Sequence, residues 1–106
     1  YDAEESWLYY YPLEGEDIHK ATFTSPQLKS LIEFRGSLQK PVTHISIERI
    51  GITGIVRTFM EPYESLLRSD WCIYRGGAVF FEGTEHCRLS DCDLYNLGGN
   101  AVFFSN

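Results

Sequence analysis

The chain has 106 residues, 43% of them hydrophobic, 15% aromatic and 23% charged, which is the size of one domain and too apolar for a disordered one. Nine Lys and Arg stand against fifteen Asp and Glu, a net charge of −6 with no basic run, so the electrostatic footprint of a nucleic-acid or anionic-membrane binder is missing. No apolar run approaches the roughly 18 residues of a membrane-crossing helix, and the acidic start YDAEESW is unlike a signal peptide.

In chain order, residues 1–28 read as an irregular incoming coil. Two strand candidates, LYYYP (8–12) and ATFTSP (21–26), are separated there by the turn-rich EGED (14–17). Residues 29–53 form the first clear coil. In it LIEFRG (31–36) puts apolar Ile32 and Phe34 on one side of an extended chain, and HISIERIGI (44–52) alternates Ile45 and Ile47, then Ile50 and Ile52, around the polar step Glu48-Arg49. Residues 54–75 read as an inserted loop. Helical signal is confined to 61–68, where Pro62 near the start permits a turn or two.

Residues 76–106 repeat the plan. AVFF occurs at 78–81 and again at 101–104, each time close behind a Gly-Gly pair, setting Val79 against Val102 and Phe81 against Phe104 at a period of 23 residues. Between the copies, HCRLSDCDL (86–94) matches HISIERIGI position for position: His86 on His44, Cys87 on Ile45, Leu89 on Ile47, Cys92 on Ile50 and Leu94 on Ile52. AVFFEG (78–83) matches LIEFRG in the same way.

Three short strands per turn, with like residues on like positions, predict an all-β chain folded as a right-handed parallel β-helix of about three coils, whose turns stack at about 4.8 Å. A β-sandwich also has many short strands, but it does not require one side-chain pattern to recur at every turn. Because the chain stops inside a repeat, the expectation is a piece of a longer β-helix, with further coils stacking on both ends. Cys72, Cys87 and Cys92 are odd in number and lack CxxC spacing, which predicts neither a zinc site nor a closed disulfide framework. They read as buried thiols, with a Cys87–Cys92 bridge as the alternative.

With this pattern, the sequence resembles the right-handed parallel β-helix, pectate-lyase-like superfamily of carbohydrate-active proteins. LYYYPLEGED, SPQLKSLIEFRG and PVTHISIERIGITG look like the opening segment of bacterial β-helix glycoside hydrolases, the family containing α-L-fucosidase and xylanase activities, and GGAVFFEGTEHCRLSDCDLYNLGGNAVF is similar to its coil repeat. The resemblance implies an extracellular or periplasmic glycoside hydrolase acting with paired carboxylates on a poly- or oligosaccharide, without a cofactor or metal. A non-catalytic glycan-binding or tailspike-like module is the alternative, and a polysaccharide lyase or epimerase the second. Calcium-dependent lyase chemistry fits less well, since no Asp pair falls on neighbouring coils at one outward position.

If Ile32, Phe34, Val79, Phe81, Val102 and Phe104 point inward, alternation turns Glu33, Phe80 and Phe103 outward, with Arg35 and Glu82 further along the same sheet. Two outward phenylalanines form either a sugar-stacking surface or a second small core under a covering loop. The insertion brings Arg68, Asp70, Trp71, Tyr74 and Arg75 to one loop beside that row. Trp71 and Tyr74 could stack on sugar rings while Arg68 and Arg75 bind hydroxyls or a uronate; alternatively the arginines pair with neighbouring acids. Glycoside hydrolysis needs two carboxyl groups, and Glu82 and Asp70 are the catalytic candidates. Asp91 and Asp93 are weaker ones, because a corner Asp ordinarily serves the backbone. His44 and His86 occupy equivalent places and are expected to stack on each other, a metal reading needing further ligands that the sequence does not place there, and Asn96 and Asn100 read as turn formers.

Overall fold

Apolar and polar residues alternate here over only three or four positions at a time, which makes strands too short to stand alone and obliges each to pair with its equivalent in another turn of chain. The computed structural model describes residues 1–59, 61, 64–65 and 72–105. It is all-β, and among the described residues there is no helix.

The first turn of chain carries β1 (Ile32–Arg35), β2 (Val42–Thr43), β3 (Ser46–Glu48) and β4 (Gly51–Thr53). A short ladder follows between β5 (Glu64–Ser65) and β6 (Cys72–Ile73), antiparallel to each other. The second turn repeats the first as β7 (Val79–Glu82), β8 (Thr84–Glu85), β9 (Arg88–Ser90) and β10 (Asp93–Tyr95), and β11 (Val102–Ser105) opens a third. Every repeat strand pairs in parallel with its equivalent. β7 lies between β1 and β11, β8 pairs with β2, β9 with β3 and β10 with β4.

The registers match the sequence repeat. Ile32 pairs with Val79 and Val79 with Val102, Phe34 with Phe81 and Phe81 with Phe104, Ile47 with Leu89, and Ile52 with Leu94. The step from Val79 to Val102 is the bare turn of 23 residues. Ile47 to Leu89 is 42 residues and Ile32 to Val79 is 47, so five residues are taken up by a protrusion between Arg35 and Val42 and nineteen by the insertion after β4.

Between consecutive strands the chain turns on single residues in the left-handed region: His44 (φ 59°), Arg49 (56°) and Gly54 (78°) in the first turn, then Gly83 (53°), His86 (54°), Asp91 (51°) and Asn96 (48°) in the second. His, Asp and Asn tolerate this conformation better than most residues, and Gly adopts it without penalty. The corners therefore stack as the strands do.

Inside the turns, Phe81 is sandwiched between Phe34 and Phe104, with ring centroids at 4.7 and 4.8 Å and planes within 8° and 11° of parallel. Phe34, Ile52, Ile55, Ala78, Val79 and Phe81 form the buried core. Phe104, stacked on the outer side of Phe81, is 70% exposed.

Several expectations are corrected. The candidate strands at 8–12 and 21–26 do not form; before β1 the only pairing among the described residues is a single bridge between Asp2 and Trp7. Pro12 and Pro26 lack the N–H a ladder needs, and this segment is held by side chains instead, with Tyr10 edge-on to Phe23 at 5.0 Å and donating its hydroxyl proton to Glu16. The insertion does not begin at residue 54. Ile55, 2% exposed, fills the core after β4 as Leu97 does after β10, the Val56 amide donates to the Leu28 carbonyl (2.9 Å), and the Thr58 amide to the Gly98 carbonyl (3.1 Å). Within 61–68, Glu64 and Ser65 are extended rather than helical. Cys87 and Cys92 are free thiols, as expected, but half-buried rather than buried, their Sγ atoms 3.5 Å from the Val42 carbonyl and 3.1 Å from the Ser90 carbonyl.

Candidate functional site

The β1–β7–β11 sheet has the chemistry-bearing outer face. Its registers align two rows across the three strands: Glu33, Phe80 and Phe103 in one, Arg35, Glu82 and Ser105 in the next. Strand alternation turns both rows away from the Phe34–Phe81–Phe104 ladder.

Arg35 organises the first half of this face. Its Nε donates to Glu33 Oε2 at 2.8 Å, its Nη1 to Glu82 Oε2 at 3.2 Å, and its guanidinium lies over the Phe80 ring at 4.5 Å. The hydrogen bond from Arg35, reinforced by its charge, holds the Glu33 carboxyl below its ordinary pKa, and the same pair raises that of Arg35. The three side chains are about half exposed, so solvent screens the network and it adds little to stability. Its value is positional, because one planar cation fixes two carboxylates and a ring.

The second half repeats the motif. Arg75 lies over Phe103 at 5.9 Å and its Nη2 donates to Ser105 Oγ at 3.1 Å. Phe80 and Phe103 are parallel within 2° at 6.1 Å between centroids. Tyr74 is half-buried, and its carbonyl accepts from Asn100 Nδ2 at 3.1 Å; the same nitrogen donates to the Gly76 carbonyl at 2.9 Å. Asn100 thus ties the end of the insertion to the turn before β11, and Asn96 is a left-handed corner, so both act as turn formers.

The protrusion at residues 36–41 stands beside this face. Between it and the chain from Glu82 to Glu85 is an open hollow of about 400 Å³, lined by Ser37, Leu38, Gln39, Glu82, Thr84 and Glu85 among others, within the size range of small-molecule sites. Gly36 and Gly83 let the two turns meet there. A Cβ on Gly83 would sit 2.5 Å from the Gly36 carbonyl carbon and 2.6 Å from the Ser37 nitrogen.

No family model, curated protein or solved structure matches the chain. The site is therefore read from its own geometry. Among the expected residues, Glu82, Phe80, Phe103, Glu33, Arg35 and Arg75 share one face and Tyr74 borders it, whereas Asp70, Trp71 and Arg68 lie outside the described residues. Phe80 departs from the sugar-stacking expectation. It is 5% exposed, enclosed between Arg35 and Phe103, so its ring supports the face from beneath, while the half-buried Phe103 retains accessible aromatic surface. Of the insertion's arginines, Arg75 bonds the Ser105 hydroxyl and lies over Phe103, and Arg68 lies outside the described residues. Asp91 is a corner residue and Asp93 lies on β10, in a different sheet.

Sequence reasoning missed Ser105 as the partner of Arg75, and the hollow with Ser37, Gln39 and Glu85. The signal for the hollow was present: six residues, 36–41, separate the equivalents of Glu82 and Thr84, where the second turn has Gly83 alone. Glu33, held ionised by Arg35, is suited to accept a hydrogen bond, and Glu82 reaches both the Arg35 network and the hollow.

Proposed function

We propose that the chain is a segment of a right-handed parallel β-helix that engages an oligosaccharide on its β1–β7–β11 face and belongs to an exported glycoside hydrolase working with paired carboxylates. The observation that carries this reading is the in-register face itself. One arginine, two carboxylates and a half-buried ring lie in aligned rows, with Arg75 laid over that ring, next to a hollow lined by hydroxyl, amide and carboxylate groups. Such a face offers planar hydrogen-bonding groups to sugar hydroxyls and an aromatic surface to a pyranose ring. Right-handed coiling agrees with the strong preference of parallel crossovers within one sheet.

In the hydrolytic reading Glu82 is the catalytic carboxyl on this face and Asp70, from the insertion, its partner across the bound sugar. A second reading, glycan binding without cleavage, is favoured by one observation: Arg35 grips both Glu33 and Glu82, which steadies charged groups rather than readying one to give up a proton. The test uses the parent protein with fucoside and xylan substrates. Hydrolysis predicts that Glu82→Ala and Asp70→Ala each lower kcat by about 10²- to 10⁴-fold, the usual worth of a general acid or base. Unchanged turnover in both variants removes this choice of site. Wild-type protein that binds glycans without cleaving them, with binding lost in Phe103→Ala, supports the second reading.

A further inference from the structure

We propose that His44 and His86 form a two-imidazole site for a divalent late transition-metal ion such as Zn²⁺, Ni²⁺ or Cu²⁺, at the corner that follows β2 and β8. The two residues are equivalent in consecutive turns of chain. Thr43 pairs with Glu85 before them and Ser46 with Arg88 after them, and the His44 amide donates to the Glu85 carbonyl at 3.2 Å. Both are in the left-handed conformation, φ 59° and 54°, so their side chains leave the backbone in the same direction, and both are exposed.

The ring geometry distinguishes this pair from the aromatic ladders. Phe34–Phe81 and Phe80–Phe103 are parallel within 8° and 2°, as plain stacking between coils requires, whereas the two imidazoles are tilted by 35° with centroids 5.0 Å apart. Two imidazoles sharing one ion at metal–nitrogen distances of about 2.0–2.1 Å, with a bond angle between about 90° and 110°, have centroids about 4.5–5.2 Å apart. The observed separation lies in that interval, as does the 4.7–4.8 Å spacing of the stacked phenylalanines, so rotation of the two rings brings their nitrogens to one ion. Neutral nitrogen ligands select zinc, nickel and copper over magnesium or calcium. Among the described residues no third His, Cys, Asp or Glu completes a cluster, so water fills the other positions and the ion is exchangeable. The site is independent of the glycan reading.

Isothermal titration of the chain with ZnCl₂ and MgCl₂ tests the proposal, with His19, the remaining histidine, as the internal control. The expected result is one Zn²⁺ per chain and no Mg²⁺, affinity lowered at least tenfold in His44→Asn and in His86→Asn, and no change in His19→Asn. Asn accepts the left-handed conformation, so the corners are kept. In the wild type, where folding is not in question, Zn²⁺ should shield His44 and His86 but not His19 from diethylpyrocarbonate, read by peptide mass. Absence of Zn²⁺ binding, wild-type binding by the double variant, or equal modification with and without Zn²⁺ would overturn the site.

Discussion

The Phe34–Phe81–Phe104 ladder makes a prediction that depends on position rather than residue type. Phe81 is 2% exposed and stacked on both faces, at 4.7 and 4.8 Å, whereas Phe104 is stacked on Phe81 and is 70% exposed. Phe81→Ala removes a buried ring and leaves a cavity, which ordinarily costs about 3–5 kcal/mol, and it also breaks two stacked pairs at about 0.5–1.5 kcal/mol each beyond area burial. Allowing for overlap between these contributions, about 4–5 kcal/mol is expected, a large share of the roughly 5–15 kcal/mol of a domain this size. Phe104→Ala gives up one stacked pair and little buried area, about 1 kcal/mol. Urea unfolding of both variants, followed by far-ultraviolet circular dichroism and compared at equal slope, measures the difference. Equal losses in the two variants, or a Phe81→Ala cost below about 1.5 kcal/mol, would refute the sandwiched placement of Phe81.

Three further outcomes follow from close contacts. Gly98→Ala should destabilise by about 2 kcal/mol or more in the same assay, because its Cβ would sit 2.4 Å from the Val56 carbonyl oxygen and 2.5 Å from the Arg57 nitrogen, both backbone atoms that cannot step aside. Arg35→Met should return the Glu33 carboxyl upward toward its ordinary value in a carboxyl-carbon NMR titration. Since folding lowers the Glu33 pKa, its contribution is present above the unfolded-state value and lost as pH falls through the folded one, so wild type should lose slightly more stability on acidification than the variant. Finally, peptide mapping under non-reducing conditions should find no Cys87–Cys92 bridge, and both thiols should label on unfolding.

Much of the repeat was legible in the sequence because each inward residue meets its own equivalent. Val over Val, Phe over Phe and Leu over Ile leave a pattern that can be aligned without any coordinates, and the observed registers follow it pair by pair. The corners were less visible. Arg49 and Asp91 share a left-handed conformation but no chemistry, so only their place between alternating pairs marks them as equivalent. Residues 1–28 misled because Tyr, Phe and Thr favour strands wherever an edge is available, and here Tyr10 and Phe23 pack on each other instead. The count from Ile52 to Val79 gives the length of extra chain but not where it departs, so the core place of Ile55 does not show in the spacing. In the candidate site, alternation identified the outward residues, but the enclosure of Phe80 depends on the reach of Arg35 from the neighbouring strand, which periodicity does not encode.

The central structural claim is that successive turns of this chain lie in parallel and in register, and methyl-to-methyl nuclear Overhauser contacts test it most directly. In a chain labelled at Ile, Leu and Val methyls, cross-peaks are predicted for Ile32 with Val79, Val79 with Val102, Ile47 with Leu89 and Ile52 with Leu94. Absence of these four contacts from a folded sample, with antiparallel neighbours in their place, would contradict the stacked turns and with them the face on which the proposed function rests.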